Sequence, residues 1–173
     1  PELPFDQRDD DAGSIVIDGA PLARDMAIVG SPVVQLRVAA DKPQAMIAVR
    51  LNDARPDGEV SRISYGLLNL AHRDSHAKPK RLKPGTFYDV SIRLNQVAQM
   101  VPAGHRLRIA ISTSYWPMAW PSPESARVTV DTARSWLDVP RLRSEAGSTP
   151  VHFEAPQIAT PLSLTASEPH IET

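Results

Sequence analysis

Residues 34–51, VQLRVAADKPQAMIAVRL, contain the clearest pattern in this chain. Apolar side chains occupy every second position on both sides of a turn at residues 41–43. Because successive side chains of a β-strand point to opposite faces, this alternation predicts two half-buried strands. We expect the intervening polar side chains, such as those of Arg37 and Arg50, on a solvent-exposed face of the sheet and the apolar side chains on a buried face.

The same signals continue along the chain. Apolar runs predict further strands, about nine in all, at residues 15–17, 26–29, 63–70, 88–94, 107–113, 128–130 and 136–139. Gly and Pro turns separate them, and the 17 prolines nearly exclude long helices outside residues 57–78. Residues 96–100 suit a short helix or, because Pro102 is close, an extended segment. The sequence therefore predicts an all-β domain, an antiparallel β-sandwich or jelly roll over residues 1–143, with a Pro-rich extended tail over 144–173.

The amino-acid composition argues against several classes of partner and of chemistry. The 19 Lys and Arg against 20 Asp and Glu give a net charge of -1, which argues against a nucleic-acid or anionic-membrane partner. There is no Cys, so disulfides and thiolate chemistry are excluded, while the compartment stays open. No apolar run is long enough for a membrane span and the N-terminal residues do not resemble a signal peptide, so we expect a soluble chain. It begins with Pro1 and not Met, as a fragment or a processed product would.

Catalytic and metal motifs are weak or missing. No Gly is followed by Ser two positions later, so the G-x-S-x-G nucleophile elbow is not in the chain. His72, Asp74 and His76 would share one face of an extended strand, but they lack the Glu of H-E-x-x-H and have four cations close by, Arg73, Lys78, Lys80 and Arg81. We expect a solvated strand-to-loop junction there, a solvated loop and not a calcium site at Asp9-Asp10-Asp11, and no metal or cofactor.

One loop is rich in aromatic residues. The segment 114–121, SYWPMAWP, follows a strong strand and contains Tyr115, Trp116 and Trp120. These side chains either cap one end of the sandwich core or form a functional surface, since aromatic rings suit domain docking, the wall of a ligand cleft, or stacking on a sugar. Among the functional alternatives, docking comes before sugar binding.

Ordered motifs across residues 5–140 resemble the C-terminal domain of the X-Pro dipeptidyl-peptidase and cocaine-esterase (CocE/NonD) family of serine hydrolases. They are DQR at 6–8, DD at 10–11, PL at 21–22, IVGSPVV at 28–34, PDG at 56–58, LLNLAHR at 67–73, LKPG at 82–85, YDV at 88–90, PAGHRLR at 102–108 and ISTSYWP at 111–117. The tail around VHFEAP at 151–156 is similar to the linker after this domain in longer relatives.

The resemblance implies a jelly roll related to galactose-binding-like domains, attached to an α/β-hydrolase catalytic domain and a helical cap. It implies no catalytic residue in this chain, because the Ser-Asp-His triad of such relatives lies upstream of the matching region. The expected function is non-catalytic: the domain packs on the catalytic domain of its parent, an esterase or X-Pro dipeptidase, and helps wall the substrate cleft through Tyr115, Trp116 and Trp120. The parent's substrate stays open. If these rings are exposed, we expect the isolated chain to self-associate.

One alternative stays beside this interpretation. The chain could be a free-standing carbohydrate-binding jelly roll in which Trp116 and Trp120 form a stacking platform. His105, in the segment 102–106, is interpreted as part of a tight turn and not as a base, because Pro and Gly set such a turn without any catalytic requirement.

Overall fold

The computed structural model describes residues 6–142, together with residues 152 and 154. By its contacts the chain divides into two units, Pro1–Arg143 and Ser144–Thr173, and the description below concerns the first. The predicted tail at 144–173 lies outside the described residues except for His152 and Glu154, which are exposed and have no regular structure.

The described residues form ten strands, one short helix and two 3₁₀ turns. The strands are β1 Ile15–Asp18, β2 Met26–Gly30, β3 Val33–Ala40, β4 Met46–Ala54, β5 Val60–Asn69, β6 Tyr88–Arg93, β7 Val97–Val101, β8 Arg106–Ser112, β9 Val128–Val130 and β10 Trp136–Asp138. The helix α1 is Arg8–Asp11, and the 3₁₀ turns are Leu70–His72 and Thr132–Arg134. All nine predicted strands are present, and the segment at 96–100 is extended, as β7. No helix among these residues has the length and hydropathy of a membrane span.

All strand pairs are antiparallel. One sheet has the order β1-β8-β4-β5, and we call it the first sheet. The second sheet has the order β10-β3-β6, with β9 also paired to β3. Strands β2 and β7 form a separate pair. The turns that connect the strands are of the predicted kind, since Gly58, Gly85 and Gly104 adopt positive φ angles that favour glycine.

The core lies between the first and second sheets. Val34, Leu36 and Val38 of β3 and Val90 and Ile92 of β6 belong to the same buried cluster as the inward side chains of β4, which are Ile47, Val49 and Leu51. Burial of such a cluster is the main stabilising contribution in a sandwich of this size. The predicted all-β antiparallel sandwich is therefore confirmed, while its galactose-binding-like character stays a prediction.

Gly66 allows the two sheets to approach closely. A Cβ atom at this position would lie 2.9 Å from the carbonyl oxygen of Arg93 and 2.9 Å from a methyl carbon of Leu94. Both distances are shorter than van der Waals contact allows, so a side chain at position 66 would force β5 away from the segment that follows β6.

The prediction of one solvent-exposed face and one buried face is wrong for β4. From Ile47 to Ala54 every residue of this strand is buried, and the side chain of Arg50 is only 1% exposed. The outer face of the first sheet is covered by the segment 6–14 and by the aromatic loop at 114–120, which both contact Arg50. Strand β4 is central in its sheet, and a central strand covered on both faces is buried on both.

Candidate functional site

The aromatic loop follows β8 and is closed by its own hydrogen bonds. The backbone N–H of Ala119 donates to the carbonyl oxygen of Tyr115 at 2.8 Å, and the hydroxyl of Ser112 donates to the carbonyl oxygen of Ser114 at 2.7 Å. The peptide bond between Trp116 and Pro117 is cis. Tyr115 and Ala119 are therefore held opposite each other at the base of the loop, with residues 116–118 at its tip.

Tyr115 anchors the loop to the outer face of the first sheet. Its ring is buried and lies edge-to-face with Tyr65 of β5 at a centroid distance of 5.6 Å. A guanidinium nitrogen of Arg62 donates to the Tyr115 hydroxyl, and the guanidinium of Arg50 lies 5.3 Å from the ring centroid. Aromatic pairing and cation–π contacts of this kind stabilise a partly desolvated loop.

Trp116 and Trp120 lie on the outside of the same loop. They are 63% and 73% exposed, the most exposed of the large hydrophobic side chains in the described residues. Their rings lie edge-to-face, with centroids 4.8 Å apart and planes at 86°. The three predicted site residues are thus together in space but differ in role. Tyr115 is a buried anchor and not part of an exposed patch, whereas Trp116 and Trp120 form an exposed apolar pair.

The perpendicular arrangement of the two indoles limits what they can bind. A sugar stacks on a flat aromatic face, and the edge of one indole here is directed at the face of the other. The pair therefore presents an exposed apolar surface in which the two rings do not form one flat face.

A buried ionic cluster lies beneath the segment that precedes β1. Arg50 contacts Asp11 at 3.1 Å, Asp10 at 3.3 Å and the hydroxyl of Ser14 at 2.8 Å. Asp11 also contacts Arg108 of β8 at 3.2 Å. The prediction of a solvated loop at Asp9-Asp10-Asp11 is therefore wrong for Asp11, which is buried as the partner of two arginines. Alternation along β4 alone placed Arg50 in solvent because its partners are distant in sequence.

A second ion pair borders this cluster at the edge of the sheet. Arg108 contacts Asp18 of β1 through two nitrogens, at 2.6 Å and 2.9 Å. Hydrogen bonding to Arg108 lowers the pKa of Asp18, and partial burial opposes this effect. The same bonds raise the pKa of Arg108, so both groups are charged at neutral pH.

The histidines do not form a cluster of metal ligands among the described residues. His72 ends a 3₁₀ turn, so His72, Asp74 and His76 do not lie along one strand, although the two imidazole centroids are 5.5 Å apart. No group of three potential ligands is present in residues 6–142, 152 and 154. The backbone of His105 closes the predicted turn, but its Nδ1 also lies 2.8 Å from the buried carboxylate of Asp53, a pairing that the sequence did not indicate.

Comparisons with known proteins agree with this architecture. Residues 3–158 match the family described as the X-Pro dipeptidyl-peptidase C-terminal non-catalytic domain. A curated relative is a cocaine esterase from Rhodococcus sp. (strain MB1 Bresler), 23% identical over 90 residues, which are 52% of this chain and 16% of that protein.

Solved structures share the fold over most of the chain. An alpha-amino acid ester hydrolase has a TM-score of 0.75 at 20% identity, over 81% of this chain and 28% of that one. An aminopeptidase from the marine sediment archaeon Thaumarchaeota archaeon has a TM-score of 0.73 at 21% identity, over the same two shares. A CocE/NonD family hydrolase from Staphylococcus aureus has a TM-score of 0.64 at 14% identity, over 80% of this chain and 32% of that one.

The fold and the family match together define the class of this molecule, a β-sandwich domain of the C-terminal, non-catalytic kind. The chain belongs to the X-Pro dipeptidyl-peptidase C-terminal non-catalytic domain family. It spans less than a third of the length of each of these relatives.

Proposed function

We propose that this domain packs against the α/β-hydrolase catalytic domain of its parent protein and helps wall the substrate cleft through the aromatic loop. The observation that carries the proposal is the exposed pair Trp116 and Trp120, held on a loop whose base is anchored by buried Tyr115. Exposed apolar surface of this kind in a rigid setting is typical of an interaction site.

Rigidity at the base of the loop supports a role in positioning. Tyr115 contacts residues of two different strands, Arg50 of β4 and both Arg62 and Tyr65 of β5. A wall of a cleft must keep its place relative to the reacting groups, because a displacement of about 1 Å can lower a rate by about 100-fold. The catalytic groups themselves would belong to the partner domain. The parent is then a serine acyl hydrolase acting on esters or on X-Pro peptides.

The test compares two exposed-tryptophan variants of the intact parent hydrolase. Trp116→Ala combined with Trp120→Ala is expected to lower kcat/KM by about 10- to 100-fold through a displaced cleft wall. Trp136→Ala, which removes a tryptophan that is 58% exposed on the second sheet, serves as the control and should leave kcat/KM within about twofold. Equal activity of both variants and the wild type would contradict the proposal.

A second assay distinguishes packing on a catalytic domain from sugar binding by the same loop. Titration of the isolated chain with soluble oligosaccharides, followed by tryptophan fluorescence, should show no saturable change that depends on Trp116 and Trp120. A saturable change that the double variant abolishes would favour the carbohydrate-binding alternative for this loop.

A further inference from the structure

The outer face of the second sheet carries the third exposed tryptophan, in a different setting from the other two. Trp136 of β10 is directly opposite Gln35 of β3, and Gln35 is directly opposite Ser91 of β6. Side chains of paired residues lie on the same face of a sheet, so these three form one row across three strands. The row is about 10 Å wide, since neighbouring strands are about 4.8 Å apart.

Hydrogen bonds order this row. The Gln35 side-chain nitrogen donates to the Ser91 hydroxyl at 3.1 Å, and the indole Nε1 of Trp136 donates to a carboxylate oxygen of Asp138 at 3.1 Å. Asp138 is two residues further along β10 and therefore on the same face. The indole is thus fixed at its edge by a carboxylate, while 58% of its surface stays exposed.

Polar groups flank the ring on both sides. Arg93 of β6 lies in the same cross-strand row as Asp138, and its side chain makes no hydrogen bond or ion pair with any other residue in 6–142. On the other side, Arg37 contacts Asp89 at 3.1 Å and lies 5.4 Å from the ring centroid of Phe87. The face therefore combines one flat apolar ring with amide, hydroxyl, carboxylate and guanidinium groups.

We propose that the outer face of the second sheet, centred on Trp136, Gln35 and Ser91, is a binding site for carbohydrate. A pyranose ring has an apolar face of C–H groups that stacks on an indole, and hydroxyls at its rim that pair with amide and carboxylate groups. A protein partner fits this face less well, because carboxylates such as those of Asp138 and Asp89 are depleted at the centres of protein interfaces.

This site is separate from the aromatic loop. The loop contacts Arg50 and Tyr65, which lie on the outer face of the first sheet, whereas Trp136 lies on the outer face of the second sheet. The core of the sandwich lies between them. Packing on a catalytic domain through the loop would leave the proposed sugar site available on the opposite side, and neither proposal depends on the other.

Binding to oligosaccharides tests the site in the 173-residue chain itself. The probes are cellohexaose, xylohexaose and a galacturonic acid hexamer, each titrated to about 10 mM with calorimetry as the readout, a range that detects weak binding with Kd near 1 mM. We expect saturable binding by at least one probe. A preference for the acidic hexamer would assign a role to Arg93, and a preference for a neutral one would assign recognition to Gln35 and Ser91.

Variants separate this site from the loop. Trp136→Ala and Gln35→Ala are each expected to weaken binding at least about tenfold, Trp136→Phe less, and Trp116→Ala with Trp120→Ala not at all. Trp136→Phe keeps an aromatic ring and controls for folding, which circular dichroism checks in every variant. The proposal is overturned if no probe binds, if Trp136→Ala binds like the wild type, or if only the loop variant loses binding.

Discussion

Arg50 and Arg37 occupy outward positions on central strands of the two sheets, yet the side chain of Arg50 is 1% exposed and that of Arg37 is 26% exposed. Arg50 is covered by the segment 6–14 and by the ring of Tyr115. Arg37 instead pairs with Asp89, whose side chain is 78% exposed, at the surface. Whether a polar side chain at an outward position of a strand is buried therefore depends on segments far away in sequence.

Replacing each of these two arginines by Met should give the largest difference in stability between the two sheets. Arg50→Met leaves buried Asp11 without one of its two arginine partners, and removing one member of a buried ion pair costs about 3–5 kcal/mol. Arg37→Met breaks a surface contact and should cost less than about 1 kcal/mol. Urea unfolding of both variants measures the difference, and equal losses of stability would mean that the first sheet's outer face is not closed as described.

The second prediction compares an aromatic anchor on each face. Tyr115→Ala removes a buried ring and should lower the free energy of unfolding by about 2–3 kcal/mol. Phe87→Ala, which removes a ring that is 40% exposed beside Arg37, should lower it by less than about 1 kcal/mol. Thermal unfolding of both variants under the same conditions measures the two losses of stability. A larger loss for Phe87→Ala than for Tyr115→Ala would mean that the second sheet, and not the first, has the covered outer face.

The third prediction concerns how the stability contributed by the Asp18–Arg108 pair changes with pH. Because Arg108 holds the pKa of Asp18 below its ordinary value of 3.8, this pair stabilises the fold above about pH 4, and the contribution is lost as the pH falls further. Asp18 is 36% exposed, so solvent screening limits the contribution to less than about 1 kcal/mol.

The Asp18→Asn variant isolates this contribution. It should be less stable than the wild type at pH 7, and the gap should close as the pH falls from about 5 to about 2. Urea unfolding along this pH series is the measurement, with Asp89→Asn on the open face as the matched control. A gap that stays constant with pH would show that the Asp18 carboxylate contributes nothing through its charge.

The smallest expected effect on stability comes from the exposed pair Trp116 and Trp120. Trp116→Ala with Trp120→Ala should change the free energy of unfolding by less than about 0.5 kcal/mol, because both rings are mostly exposed. The same variant should reduce self-association of the isolated chain, which we expect through the exposed pair. Light scattering measures the molar mass of the wild type and of the double variant. A monomeric mass for both would contradict self-association through the exposed pair.

Local sequence signals predicted the sheets but only part of the site. Alternation along β3 and β6 and the turn glycines are local, so the strands and the order of turns could be inferred. The density of aromatic residues at 114–121 also identified the loop. The burial of Arg50 and the pairing of His105 with Asp53 could not be inferred, because each joins residues more than 35 positions apart. The separation between Tyr115 as anchor and the two exposed indoles depends on the same long-range contacts.

Photo-crosslinking in the intact parent hydrolase measures whether the aromatic loop contacts the catalytic domain. A benzoylphenylalanine in place of Trp116 should crosslink to the catalytic domain, while the same residue in place of Trp136, on the opposite face, should not. Mass spectrometry of the crosslinked peptides identifies the partner surface. Crosslinks to the catalytic domain from position 136 and none from position 116 would contradict the account and assign docking to the second sheet.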